Sequence, residues 1–333
     1  MKKLIPIAVA AALLLTACGS GNYAATEVPA KPSATPAPPA TPAPQDCTNA
    51  LQSYAPAGPL PPPGQMPAGS TMSKIYDYGR LVAGVSADSL NLGSRNPLTG
   101  KIEGLDIDMV NAVAEAIFPD AKTNPNRVEL RVISTPQRLP VLTAPRKPGA
   151  VDLVARNMTI TCARWKEIAF SAEYYHSGQK LLVRTDLMNA NGKPVQSLDE
   201  LAGQTVCAPA ASTSLDNLRT KYPKVVPITA DTATGCLVLF QQGKAVGITG
   251  DDTVLAGEAA QDPYARVTTA PAFSAEPYGL GMNAGQADFV QFVNGVLEQM
   301  KKDGRWQHSY DSWLGTLGKA TPPAPVYGRV PPA

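Results

Sequence analysis

The sequence lacks a charge imbalance: 29 lysines and arginines stand against 27 aspartates and glutamates over 333 residues, a net of +2. Nucleic acid is bound through a basic surplus, and with none present that class of partner drops out. Histidine is scarce. His176 and His308 are too far apart for metal-ligand spacing and take the default reading of solvated or core residues. The five cysteines form no C-x-x-C pair, which argues against zinc and dithiol redox chemistry. The apolar stretch from Leu4 to Leu15 is too short to span a bilayer as a mature helix. Ser212-Thr213-Ser214 has no neighbouring histidine to activate a hydroxyl, so a nucleophilic triad is not in view. Nothing in the composition calls for a cofactor.

Proline, by contrast, is abundant. The 33 prolines are about twice the usual ~5% and cluster in the N-terminal fifth and the last dozen residues, which leaves the middle as the folded part. The chain opens with Lys2 and Lys3, the apolar stretch and then Leu15-Thr16-Ala17-Cys18, the layout of an export signal. Those last four residues resemble a bacterial lipobox, in which cleavage precedes a cysteine that carries a diacylglycerol; a plain secretory signal with an incidental cysteine is the alternative. Residues 1–17 are then a signal peptide and 18–70 a Pro/Ala-rich flexible spacer. About fifty residues at roughly 3 Å each would lift a folded body by more than ~100 Å at full stretch. Residues 318–333 form a similar proline-rich tail.

With Cys18 lipidated, Cys47, Cys162, Cys207 and Cys236 remain, an even number that suits two disulfides in an exported protein. Three connectivities are open, as are free buried thiols. The expected pairs are Cys207–Cys236, which lie in one segment, and Cys47–Cys162, which would pin the tail to the first lobe.

From Lys74 the pattern becomes an alternation of strands and helices. Arg80–Val85 reads as a buried strand. Gly104–Ile117 is a helix with Ile107, Val110, Val113, Ala114 and Ile117 at helical spacing, and Asp106 and Asp108 sit at its start, where capping and the helix dipole account for them. Strands at Val128–Ile133, Val151–Ala155, Lys180–Arg184, Thr205–Ala208, Val225–Ile228 and Ala245–Thr249 alternate with helices at Ser214–Lys221 and Cys236–Gln242. Helices at Phe289–Lys302 and Arg305–Trp313 close the chain. Repeated βα units mean parallel sheets covered by helices. Trp165, Trp306 and Trp313 are read as packing residues.

Several segments fall in a recognisable order: Thr99 to Asp108, Val151 to Arg164, Ile168-Ala169-Phe170-Ser171 with Tyr174-Tyr175, Ser197 to Gly203, Gly250-Asp251-Asp252, and Glu276-Pro277-Tyr278-Gly279. As a set they resemble the periplasmic solute-binding proteins of the polar amino-acid family, over roughly residues 73–317. The lipobox, spacer and four remaining cysteines are similar to the glutamine-binding-type lipoproteins of mycobacteria and other actinobacteria. The resemblance implies an α/β fold of the two-lobed type II periplasmic-binding-protein kind. Its two mixed or parallel sheets, flanked by helices, are joined by two hinge strands, with lobe 1 at 71–183 and 274–317 and lobe 2 at 184–273.

It also implies a ligand set. A zwitterionic amino acid taken out of water needs donors for its α-carboxylate and acceptors for its α-ammonium. Arg164 matches the family arginine that grips the carboxylate with a planar fork, although alone it reads as a surface helix residue. Thr159 matches a hydroxyl donor, and Asn157 a position offering a backbone carbonyl. Ala210 to Ser214 corresponds to a Gly-Thr-Thr-Ser-like turn at a helix start. There Ser212, Thr213 and, less directly, Ser214 would meet an anion, or simply cap the helix. Asp251 falls on the ammonium acceptor, with Asp252 its competitor.

For the side chain, Thr135-Pro136-Gln137-Arg138-Leu139-Pro140 resembles a segment of the glutamate/aspartate binders. Arg138, assisted by Thr135, would therefore balance a side-chain carboxylate, which puts aspartate and glutamate first and their amides next. The first cleft loop, Ser86 to Leu92, in which Leu90 is a lesser ligand-binding candidate, lacks both the aromatic clamp of glutamine binders and the arginine of glutamate binders. Arg156 is a candidate replacement for that charge, or a solvent-facing strand residue.

The function so implied is a non-catalytic, monomeric, lipid-anchored extracytoplasmic receptor. Its partner is an ABC permease or a membrane sensor. Two alternatives stand beside it. One is a dehydratase on the same fold, for which Asp88 and Glu173 are the available acids. The other is an envelope protein that binds no ligand.

Overall fold

Buried aliphatic runs lay down the two larger sheets, beside a small three-stranded one of Asp88–Ser89, Gly93–Arg95 and Ile102–Glu103. In the computed structural model, which describes residues 35–36, 47–143 and 150–331, Leu81–Val85 is buried at all its positions. It runs parallel between Val128–Val132 and Leu153–Ala155. A strand covered on both faces needs apolar residues throughout, hence the unbroken run instead of an alternation. The sheet continues through Gly281–Asn283, antiparallel to both its neighbours, and ends at Ile168–Phe170.

The second sheet centres on Thr205–Pro209, parallel to Val226–Ala230 on one side and Gly247–Asp251 on the other. Tyr175–Arg184 is antiparallel to Gly247–Asp251 and also pairs with Ala265–Val267 and Ser274–Tyr278. The pair Thr35–Pro36 adds an antiparallel edge to Val226–Ala230. The chain thus leaves the first sheet after Ile168–Phe170 and returns to it at Gly281–Asn283, through two strands paired from Tyr175↔Tyr278 to Gln179↔Ser274. The whole of Tyr175–Arg184 belongs to the second sheet, so the crossing comes ahead of the expected boundary at 183.

Leu105–Ile117 packs between the first sheet and the helices Ala287–Lys302 and Arg305–Trp313. Being covered on two sides, it buries more than a single apolar stripe, Asp106 included. Its first residue follows Gly104, at φ 140°, where a Cβ would collide with the Leu92 carbonyl. The capping expected of Asp106 and Asp108 is not what they do. Asp106 accepts hydrogen bonds from the Tyr174 hydroxyl (2.6 Å) and the Asn157 backbone N–H (2.9 Å). Asp108 accepts from Trp313 Nε1 (2.8 Å) and Ser309 Oγ. Both partner sets lie far along the chain, where no local pattern points to them.

The expected free spacer and free tail are corrected where they are described. From Cys47 onward the spacer lies on lobe 1: Ser53 Oγ donates to Phe170 O (2.8 Å), Asn294 Nδ2 donates to Tyr54 O (2.7 Å), and Leu60 sits over Gly295. The tail returns beside it, with Tyr327 bridged to Ser53 and the Arg329 guanidinium 3.9 Å from the centre of the Trp165 ring. Proline disfavours helix and removes a ladder donor, but it leaves the carbonyls free to accept. Ala50 O takes Trp165 Nε1 (2.8 Å) and Pro323 O takes Lys301 Nζ (2.6 Å). A chain already stiffened by proline also loses less entropy on docking.

Both expected disulfides are present, Cys47–Cys162 with Cα atoms 6.0 Å apart and Cys207–Cys236 at 5.5 Å. The first fastens the docked spacer to the turn that carries Arg164. Everything described falls within one compact unit, Ala34–Ala333. Cys18 and the stretch 1–17 lie outside the described residues.

Candidate ligand-binding site

The strand ends and helix starts of the two lobes face each other across a cavity. Lobe 1 contributes Ser89, Thr135, Arg138, Arg156, Asn157 and Thr159; lobe 2 contributes Ser212, Thr213, Ser214, Asp251 and Glu258. The lobes touch around it. Thr135 N–H donates to Asp231 O (2.9 Å), Thr234 Oγ1 to Asp88 O (3.1 Å), and the Thr159 and Thr213 hydroxyls lie 3.3 Å apart.

Thr159 and Thr213 both donate to one carboxylate oxygen, Glu276 Oε2, at 2.8 and 2.6 Å. Glu276 comes from the returning hinge strand, and Ser274 Oγ donates to its other oxygen (2.7 Å). Arg164 stands behind this group. Its Nη1 donates to Thr159 O (2.6 Å) and its Nη2 to Ala211 O (3.4 Å), so the expected fork is directed at two main-chain carbonyls and the side chain does not form the cavity wall. Ala211, at φ 54°, takes the left-handed conformation that glycine adopts more easily, and this turns its carbonyl toward both Arg164 and Arg138. Ser212 caps the helix Thr213–Lys221 by accepting Leu215 N–H (3.1 Å) while lining the cavity. Ser214 is buried, and its carbonyl accepts from Gln179 Nε2.

Arg138 is buried, with four of its five N–H donors on Thr135 O (3.1 Å), Arg156 O (3.4 Å), Asn157 O (3.2 Å) and Ala211 O (3.2 Å). Burial, with Arg164 and Arg156 close by, holds its pKa well below the usual arginine value. Arg156 is not solvent-facing: it is 3% exposed, donating to Ile133 O (2.9 Å) and Thr135 Oγ1 (2.8 Å), with Asp88 at 4.0 Å.

Asp251 lies in the wall and accepts the Tyr278 hydroxyl (2.8 Å). Burial and the Glu276 carboxylate push its carboxyl up to about 7, against the pull of Tyr278 and Arg138. Asp252 is turned away, accepting Ser177 Oγ (2.6 Å) and its neighbour's N–H. Leu90 is not in the wall either; it packs against Gly257 across the lobes. Asn157 holds φ at 37°, its N–H fixed by Asp106, whose carboxyl burial raises to about 6.

Sequence reasoning assigned no role to Glu276, Tyr278, Ala211 and Glu258. Glu276 and Tyr278 stood inside a quoted segment. Glu258 carried a signal of its own, a charge one turn beyond Val254 and Leu255 on the buried face of Asp252–Ala259.

The family model of the bacterial extracellular solute-binding proteins, family 3, matches residues 81–316. The chain belongs to that family. Among curated relatives, the ABC transporter glutamine-binding protein GlnH of Bacillus subtilis is 32% identical over 245 residues, 73% of this chain and 84% of the relative. The glutamate-binding protein GluB of Corynebacterium efficiens is 28% identical over 76% of this chain and 84% of its own length. Among solved structures, an ancestral amino-acid-binding protein, a precursor of cyclohexadienyl dehydratase, superposes with a TM-score of 0.63. It is 28% identical, and the match covers 73% of this chain and 99% of that one. The two sheets, two crossing strands and interlobe cavity are those of a type II periplasmic binding protein, and the family 3 protein described here is an extracellular solute-binding protein.

Proposed function

We propose that the protein is a monomeric receptor that closes its lobes on a polar amino acid and presents it to an ABC importer, held at the membrane by a diacylglycerol on Cys18. The observation that carries this reading is the interlobe cavity in which the Thr159 and Thr213 hydroxyls, the Arg138 guanidinium and the Asp251 carboxyl meet. A buried zwitterion requires that mixture of donors and acceptors. Thr159 and Thr213 serve the α-carboxylate, with Arg164 behind them holding the Thr159 and Ala211 carbonyls; the two hydroxyls already converge on the Glu276 carboxylate, so their geometry suits that group. Asp251 serves the α-ammonium, since Asp252 is directed elsewhere.

Relatives named for glutamine and for glutamate support a side chain ending in an amide or a carboxylate. The expectation that acids come first rested on Arg138 as a free cation. With four of its five donors engaged by main-chain carbonyls, and Arg156 beside Asp88, the support for acids over amides is weaker than that expectation assumed. The acids suggested for a dehydratase are poorly placed: Glu173 is bonded to His176 (2.8 Å), Asp88 to Ser86 (2.7 Å), and neither lines the cavity.

Calorimetry of the full chain against the twenty amino acids tests the reading. Tight binding of one or a few polar amino acids is expected, with no product from prephenate or arogenate. Silence across the whole set would leave the envelope-protein alternative. Crosslinking in live cells separates the two receivers of the closed form, a permease for the importer and a signalling protein for the sensor. Mass spectrometry of the membrane-bound protein checks the lipid on Cys18.

A further inference from the structure

We infer that Glu258, together with Asn157, selects the ligand's side chain and that the group it selects is a primary amide. This rests on the cavity being an amino-acid site. Glu258 is 2% exposed, lines the cavity, and neither of its carboxyl oxygens has a hydrogen-bond partner among the described residues. Asn157, another residue of the wall, likewise has a buried oxygen, Oδ1, with no partner among the described residues. These three oxygens are therefore buried acceptors with bonding capacity left for a ligand.

The charge state of Glu258 narrows the choice. Burial, reinforced by the Asp88 carboxylate, raises its pKa well above the ordinary value, which favours the carboxylic acid, with one O–H donor and one C=O acceptor side by side. No cation compensates it: Arg156 is committed to Ile133 O, Thr135 Oγ1 and Asp88. A primary amide carries the reversed pair, one acceptor oxygen and two N–H donors. Its oxygen takes the Glu258 proton, one N–H meets the Glu258 carbonyl, and the second meets Asn157 Oδ1. All three orphaned oxygens are then satisfied. A side-chain carboxylate offers acceptors only and would leave Asn157 Oδ1 and one Glu258 oxygen unpaired. An ammonium side chain would need Glu258 ionised.

Calorimetry at pH 7 with the full chain, comparing glutamine with glutamate, asparagine with aspartate, and lysine, tests this in the wild type, Glu258→Leu and Glu258→Gln. In the wild type one amide should bind at least about tenfold more tightly than its acid, the worth of one or two hydrogen bonds. Glu258→Leu should erase that ratio by weakening the amide about tenfold or more, with the acid nearly unchanged. Glu258→Gln keeps one donor and one acceptor and should restore the amide to within about threefold. An acid preferred by the wild type, lysine bound best and lost in Glu258→Gln, or a ratio that Glu258→Leu leaves unmoved would each overturn the assignment while leaving an amino-acid receptor. Failure to bind any amino acid would overturn both.

Discussion

Around Thr159 and Thr213 the protein satisfies itself: two hydroxyls close on Glu276, and Arg164 and Arg138 share the Ala211 carbonyl. Around Glu258 and Asn157 it does not, and three buried oxygens are left over. The first region is generic chemistry for what every α-amino acid has in common, and its order does not depend on which one arrives. The second is where one amino acid differs from the next, so unfinished bonding there converts identity into affinity.

The largest expected effect comes from the common region. Arg164→Ala should weaken every amino acid that binds, by ~2–5 kcal/mol, because it frees the Thr159 and Ala211 carbonyls and strips the buried Glu276 carboxylate of its neighbouring cation. Calorimetry across ligands reads it; a loss confined to one ligand would dissolve the division between regions. Asp251→Asn should cost ~1.5–3 kcal/mol, again for all ligands, as a bond to a charged group is removed. Because the α-ammonium pairs with ionised Asp251, wild-type affinity should rise with pH up to about 7, and the variant's profile should be flat over that interval.

Stability should run the opposite way. Asp251 and Asp106 have folded-state values of about 7 and about 6, above the ordinary 3.8, so the folded chain holds these protons more tightly than the unfolded one. Their contribution is complete below about pH 4 and is lost as pH rises through 6 and 7. Thermal melts of the ligand-free protein should show Tm falling over that window, and Asp106→Asn should flatten part of the fall. The smallest effect is Thr213→Val, about 1 kcal/mol of affinity shared equally by all ligands.

Much of this was legible in the sequence wherever the cause is local. Leu81–Val85 and Leu105–Ile117 announce themselves through burial period, Thr213–Lys221 through its serine cap, and the Thr159 to Arg164 spacing through the short turn that joins them. What escaped is contact between distant segments. Nothing near Asp106 reveals Tyr174 and Asn157 as its partners, and nothing near Arg156 reveals that a strand residue would be buried against Asp88. Proline content argued against helix and sheet throughout the spacer, which holds over 47–70 but not at Thr35–Pro36, an edge strand of the second sheet. It was silent on docking, which is decided by lobe 1's surface and not by the segment's own backbone.

The hinge has a mechanical meaning. Tyr175–Gln179 and Ser274–Tyr278 are zipped together by consecutive antiparallel pairs. Neither strand can bend or slide without carrying the other, so the joint behaves as a single stiff leaf with one axis instead of two independent cords. Glu276 sits on that leaf with its carboxylate clamped by Thr159 of one jaw and Thr213 of the other. Anything that loosens or tightens those two hydroxyls therefore acts at the axle, where a small displacement moves the far rim of each jaw the most.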